Sequence, residues 1–205
     1  MARTPAQPTS TTKSRLRRAE LLAAAEQAFQ ERGYVETSVA DIVRIAGGSR
    51  ASFYSYFTSK DEALAVLVHR LTDDLFEAAT HPMSPGATPF ETLEASIRQF
   101  MRAYRDRAPL LLILDQATTV NASFLELRLA IRARFAATLE ATLTERFRRR
   151  ADPDDLDPKL TAIALGGMIE DMARGRYLFG QDLNDEQSVR TLAVLWARSL
   201  GVRVR

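Results

Sequence analysis

The side chains best suited to chemistry lie close together, in Arg50-Ala-Ser-Phe-Tyr-Ser-Tyr-Phe57. Phe53 and Phe57 are four residues apart and can pack inward on a helix, which leaves Arg50, Ser52, Tyr54 and Tyr56 to point outward. An arginine, a hydroxyl and two phenols on one exposed face suit hydrogen bonding to base edges and phosphate oxygens. Little else in the chain suggests a reaction. His69 and His81 are the only histidines, without metal-ligand or triad spacing between them, and there is no cysteine. Neither a thiolate metal site nor a disulfide framework can therefore form. Gly47-Gly48 lacks the strand-loop-helix setting of a phosphate cradle. The expectation is a binding protein, not an enzyme, with no cofactor and no metal.

The elements that would position this face are written just before it. Ser38 with Asp41 three residues on forms a capping box and starts a helix. Ile42, Ile45 and Ala46 give that helix one apolar face, and Gly47-Gly48 ends it in a tight turn. Ser49 can cap a second short helix from Arg50 to about Tyr56. Two short helices across a glycine turn make a helix-turn-helix, whose second helix enters the DNA major groove. An ordinary helical hairpin with a solvated polar face has the same spacing, so spacing alone leaves both readings open.

Four elements in register carry a resemblance: Ile42-Val43, Ala46-Gly47-Gly48-Ser49, Tyr54-Ser55-Tyr56-Phe57 and Ser59-Lys60-Asp61-Glu62-Ala63-Leu64. Together they resemble the signature of the TetR family of transcriptional regulators. Val43, Gly48 and Ala51 depart from the usual alanine, valine and glycine, and Gly48 is expected to loosen the turn. The run Ser49-Arg-Ala-Ser-Phe-Tyr-Ser-Tyr-Phe57 and the Ile169-Glu170-Asp171 region look most similar to the EthR branch, whose pockets are long and apolar. The candidate DNA contacts are Arg15, Arg18, Ser38, Arg44, Ser49, Arg50, Ser52, Tyr54, Tyr56 and Lys60. Arg15, Arg17 and Arg18 oppose the dipole at the start of their helix, so an outside phosphate is the natural partner for them.

Length and charge agree with a small head on a larger body. The chain has 205 residues, enough for one large domain or two small ones. Residues 1–60 carry an excess of four positive charges within a total of +2, a basic end of the kind a nucleic-acid binder presents. Residues 1–13, rich in Thr, Pro and Ser, read as a disordered arm and not as a secretory signal. No apolar run approaches the ~20 residues that span a bilayer, so a cytoplasmic protein without a membrane partner is expected. The domain reading is an arm at 1–13, a helix-turn-helix domain at 14–60 and a ligand-binding and dimerisation domain at 61–205.

The fold class expected is all-α, with about nine helices: a three-helix head followed by a helical body. The first helix covers Arg15 to Arg32 and stops at Gly33. Ser59 and Glu62 cap a fourth helix reaching about Thr80, a lever between head and body. Thr88-Pro89-Phe90-Glu91 opens a helix carrying Leu93, Ile97, Phe100, Met101 and Tyr104. Leu110 to Leu114 is apolar all round and is expected to be buried on every side. Asn121 caps a long helix to about Arg150, Asp157-Pro158 starts one to about Phe179, and Asn184 with Gln187 caps the last. Gly166-Gly167 in the penultimate helix would admit a neighbouring helix or a ligand.

The resemblance implies that the last two helices pair with their copies in a homodimer. Leu165, Ile169, Ala173, Leu192, Leu195, Trp196 and Ser199 are the interface candidates. It also implies an effector pocket among the middle helices, with Ile97, Phe100, Met101, Tyr104, Leu111, Leu114, Phe124, Leu127, Arg128, Ile131, Met168 and Asp171 as its candidate lining. Gln116, Glu170 and Tyr177 are further polar candidates. The function expected is a repressor that binds double-stranded operator DNA and is released by a small hydrophobic effector. The alternative is a constitutive or activating helix-turn-helix protein without a small-molecule ligand.

Overall fold

The computed structural model describes residues 10–79, 86–150 and 156–204; the side chains of residues 10, 11, 146, 149 and 150 lie outside that description. Nine helices and no strand occur among the described residues. Residues 1–9 of the expected arm, the expected helix end at His81-Pro82 and most of the acidic loop at 151–157 fall outside them. Residues 10–13, expected in the arm, are instead the first turn of α1 (Ser10–Glu36).

Local sequence explains most helix ends. α1 is broken at Gly33, whose φ of 76° and ψ of 168° an L side chain rarely adopts. Thr37 closes the break, its hydroxyl donating to the Gly33 carbonyl at 2.6 Å and the Ala28 carbonyl at 3.1 Å. α2 (Val39–Ile45) starts with the Ser38/Asp41 box and α3 (Arg50–Tyr54) with Ser49 accepting from Ser52 N–H. α4 (Lys60–Ala79) corrects the expected box. Ser59 Oγ accepts from Glu62 N–H at 3.2 Å, but the Glu62 carboxylate turns to Thr58, accepting its N–H at 2.6 Å and its hydroxyl at 2.8 Å.

The body is built the same way. α5 (Pro89–Asp106) has the full Thr88/Glu91 box with proline in its first turn. α6 (Ala108–Val120) is longer than the apolar run inside it, because Pro109 needs no N–H partner in a first turn and so opens the helix. Its Leu112 is exposed, which corrects the expectation of burial on every side. α7 (Ala122–Arg150) follows Asn121, α8 (Pro158–Tyr177) is capped by Asp157, and α9 (Asp185–Ser199) by Asn184.

One continuous core runs through head and body. Leu21, Leu22, Ala25 and Phe29 of α1 meet Ile42 and Val43 of α2, Phe53, Phe57, and Leu64 and Val68 of α4. Phe53 and Phe57 stack with centroids 5.4 Å apart, and both are buried. That inward pair fixes which face α3 turns outward. α4 continues from the head into the body, where it packs on α5, and α6 packs under α1.

Three caps carry ionised carboxylates. The Ser38 hydroxyl holds Asp41 below the ordinary carboxylate range, the Thr58 backbone N–H does so for Glu62, and the Thr88 backbone N–H for Glu91. A depressed folded pKa gives stability that is complete above the ordinary carboxylate pKa and is lost as pH falls through the depressed value. Thermal melts should therefore hold steady from neutral pH to about 5 and drop below about 4. Asp41→Asn should remove part of that drop; an acid limb identical in the variant would dissociate the cap from the pH response.

Candidate DNA-binding face and effector cavity

Burial of Phe53 and Phe57 leaves Ser49, Arg50, Tyr54 and Ser55 exposed and Ser52 and Tyr56 half-buried along α3 and the turn after it. Tyr54 stands edge-on to Phe53 at 5.6 Å, so the phenol is braced from behind while its hydroxyl end is free of the core. Arg15 is exposed one helix away. Arg18 is half-buried, its guanidinium lying over the Phe57 ring at 5.0 Å. Ser38 and Ser49 are occupied as helix caps, and Arg44 is exposed beside Asp41.

The turn before α3 is not loosened by Gly48. A Cβ there would meet Arg17 Nη2 at 2.2 Å, so the guanidinium occupies the space that a valine would fill. Arg17 also donates to the Ala46 carbonyl at 3.1 Å and pairs with Glu20 at 2.7 Å. It serves the C-terminal end of α2.

Lys60, expected to touch phosphate, is placed otherwise. Its ammonium donates to the carbonyls of Tyr34 at 2.8 Å, Val35 at 3.1 Å and Thr37 at 2.7 Å. It also lies over the Tyr34 ring at 4.6 Å. A lysine has three N–H donors, and all three are engaged by backbone carbonyls of the segment after Gly33. This removes Lys60 from the DNA-contacting set. The carbonyl partners are more than twenty residues earlier in the chain, so no local pattern announces them.

The body holds an elongated cavity of about 900 Å³ that opens to solvent along part of its wall. Ile97, Phe100, Tyr104, Leu111, Leu114, Arg128 and Ile131, all expected, are on its wall. Met101 and Phe124 are buried away from it, and Phe124 packs edge-on to Tyr34 at 5.5 Å. Leu127 and Met168 pack against the core without reaching the wall. Asp171 is exposed on a separate polar cleft of about 510 Å³. Leu71, Leu75 and Phe76 of α4 also line the cavity. The three-and-four spacing of Leu64, Val68, Leu71 and Leu75 was the signal that could have found them. Gly166 and Gly167 line it too, and a Cβ on either would meet nothing within 4 Å.

One end of the cavity is charged. Arg128 pairs with Asp115 and, at 3.2 Å, with Glu170. Arg132 reaches Glu170 at 3.3 Å and Arg174 reaches Asp115 at 3.0 Å. Burial, then the neighbouring Arg174, lower the Arg128 pKa. Burial and then Glu170 push the Tyr104 phenol up to about 12, so it remains a hydrogen-bond donor. Among the described residues no cluster of His, Cys, Asp and Glu could hold a metal ion. No described helix is long and apolar enough to cross a membrane.

The dimer candidates divide. Leu165, Ile169, Ala173 and Leu192 are buried within the protomer, so they cannot also face a partner. Trp196 lines the cavity, its indole N–H buried without a partner among the described residues. Leu195 and Ser199 are exposed. The exposed apolar positions on these two helices are Leu160 (67%), Ile163 (50%) and Leu195 (43%), of which Ile163 also lines the cavity. Both faces of α8 are apolar, so periodicity alone does not tell which one is buried within the protomer.

Comparison with known proteins agrees with this geometry. Residues 21–66 match the profile of bacterial regulatory proteins, tetR family. Over 188 residues the chain is 27% identical to the HTH-type transcriptional regulator EthR of Mycolicibacterium smegmatis, covering 90% of this chain and 86% of that one. A TetR-like transcriptional regulator from Rhodococcus sp. RHA1 superposes with a TM-score of 0.69 at 25% identity, covering 97% of this chain and all of the other. A SmeT–triclosan complex superposes with a TM-score of 0.73 at 22% identity, over 92% of this chain and 95% of that one.

Lys60 and Arg50 should separate on two measurements. Lys60→Ala should lower stability in urea by about 1.5–3 kcal/mol, because partly buried carbonyls lose a charged donor. Arg50→Ala should leave stability within about 0.5 kcal/mol and weaken duplex binding by about 1–3 kcal/mol. Wild-type stability together with a flatter salt dependence of DNA binding in Lys60→Ala would return that residue to the phosphate-contacting set.

Proposed function

As a member of the TetR family of DNA-binding transcriptional regulators, this chain acts, we propose, as a homodimeric repressor released by a small apolar effector. α3 enters the major groove, with Arg50, Ser52 and Tyr54 toward base edges and Arg15 toward phosphate. Two heads read half-sites about 34–36 Å apart on a two-fold-symmetric operator. The dimer forms through the outward faces of α8 and α9, where Leu160 and Leu195 are exposed in the protomer.

The observation that carries the effector reading is the cavity, because two helices of its wall also touch the head. α4 contributes Leu71 and Leu75 to the wall and begins with Lys60 and Asp61 beneath Tyr34. α6 contributes Leu111 and Leu114, and two residues later Gln116 accepts the Tyr34 backbone N–H at 3.2 Å. An effector that prefers a different spacing of these helices moves the heads out of register with the operator. Effector and DNA then oppose each other by linkage. SmeT, a protein of the same fold, forms a complex with triclosan, a small apolar compound, which favours this reading.

Selection from a random duplex pool should return a two-fold-symmetric sequence. A lipophile bound at about 100 times its dissociation constant should add about 2.7 kcal/mol of stability and should lower operator affinity. A lipophile that stabilises the protein while DNA binding is unchanged would reject repression released by that cavity. Leu160→Glu with Leu195→Glu should give helical monomers with weakened operator binding. An intact dimer on sedimentation would dismiss this interface.

A further inference from the structure

The charged end of the cavity specifies more than an apolar occupant. On its wall Glu170 is already shared by Arg128 and Arg132, and behind the wall, on the separate polar cleft, Asp115 is shared by Arg128 and Arg174. Three guanidinium groups thus face two carboxylates. A guanidinium carries five N–H donors, so donors here exceed the acceptors around them. Asp171, the remaining acid nearby, is exposed on the outer cleft. The charged residues on the cavity wall itself are Arg128, Arg132, Lys159, Glu140 and Glu170, an excess of one positive charge. Tyr104 adds a hydroxyl that makes no hydrogen bond among the described residues, on a residue buried beside Glu170 and Arg128.

The side of the cavity along α5 toward Trp196 is mostly apolar, with Lys159 and Glu140 of α8 and α7 across from it, and the geometry of α5 gives its length. Pro89, Leu93, Ile97, Phe100 and Tyr104 all face the cavity, and Pro89 to Tyr104 spans about 22 Å of helix. α9 runs antiparallel to α5, because Arg98 pairs with Glu186 and Arg190 with Glu94. That register sets Trp196 beside the start of α5, far from Tyr104.

We propose that the cavity takes an anionic amphiphile: a carboxylate head group on Arg128 and Tyr104, with an elongated apolar body lying along α5 toward Trp196. This rests on the effector reading above and adds the chemistry of the head group. The anion supplies the acceptors that the arginine cluster lacks, and the phenol donates to it as a neutral group. A cation would meet two guanidinium groups and a Glu170 carboxylate that is already paired. Drawing Arg128 toward the ligand also weakens its hold on Asp115, the neighbour in sequence of the Gln116 that bonds to the head.

The test compares dodecanoate, dodecan-1-ol and dodecylammonium, each below its aggregation concentration, on the full-length protein by calorimetry and operator release. Dodecanoate should bind about tenfold or more tighter than dodecan-1-ol, a difference of about 1.4 kcal/mol, and dodecylammonium should bind weakest. Arg128→Gln and Tyr104→Phe should each weaken dodecanoate about tenfold and leave dodecan-1-ol unchanged. Should Arg128→Gln fail to fold, Tyr104→Phe, which removes one oxygen, carries the comparison. Equal binding of acid and alcohol would overturn the anionic head group while leaving the cavity as an effector site. Tightest binding of dodecylammonium would overturn it in favour of Glu170 as the recognising group. Binding of none of the three, with no thermal shift, would overturn this proposal and the effector reading together.

Discussion

The arrangement of head on body depends on how the chain is held just after Gly33. The left-handed turn there leaves the carbonyls of Tyr34, Val35 and Thr37 without helical partners, and the Lys60 ammonium gathers all three. Tyr34 lies beneath that ammonium and is gripped from the other side. Its hydroxyl donates to Asp61 at 2.8 Å, and its backbone N–H donates to Gln116 at 3.2 Å. Its ring packs on Phe29 and on Phe124 at 6.0 and 5.5 Å. Asn121 Nδ2 donates to Asp61 as well. One residue thus ties α1 to α4, α6 and the start of α7. Burial and then Asp61 push its phenol up to about 12, so this junction keeps its donor throughout the physiological range.

The body is packed less completely than the head, and the difference follows from sequence. In the head, Phe29, Phe53 and Phe57 fill the space between short helices. In the body, long helices are separated by a void that Gly166 and Gly167 decline to fill. Glycine inside a helix costs about 1 kcal/mol relative to alanine, and an empty apolar volume forfeits dispersion contacts as well. A sequence selected for stability alone would place alanine or larger residues there. Their absence fits a body whose void has an occupant, and the arginine cluster at one end is the polar counterpart of the same arrangement.

Legibility in the sequence followed the range of the interaction. The Ser38/Asp41 and Thr88/Glu91 boxes, the Gly33 and Gly47 breaks and the amphipathic α5 are set by residues within one turn of each other and were readable, whereas at α4 the Glu62 carboxylate turned to Thr58 instead of Ser59. The exposed face of α3 was readable because Phe53 and Phe57 leave only one solution. Lys60 was not, since its carbonyl partners arrive only when α1 folds back over α4. The α8 faces were not, since Leu165 and Ile169 share the helix with Leu160 and Ile163 at similar hydrophobicity, and which face is buried is decided by packing against other helices. The α4 side of the cavity was partly legible in its apolar stripe. That α4 and α6 form one wall is a tertiary fact.

Two routes connect cavity and head, and their lengths differ. Along α4, Leu71 on the wall is eleven residues from Lys60, about 16 Å of helix. Along α6, Leu114 on the wall is two residues from Gln116, about 3 Å of rise. A ligand can shift an equilibrium only by its differential affinity for the two states. A rotation or translation of α6 by a fraction of a turn already alters the Gln116 bond to Tyr34, whereas α4 must move as a rigid lever. Gln116 Oε1 also lies 3.0 Å from where a Cβ on Gly33 would be, so the break in α1 and the end of α6 are fitted to each other. The residue that lets the chain turn is therefore the same one that lets the body reach the head.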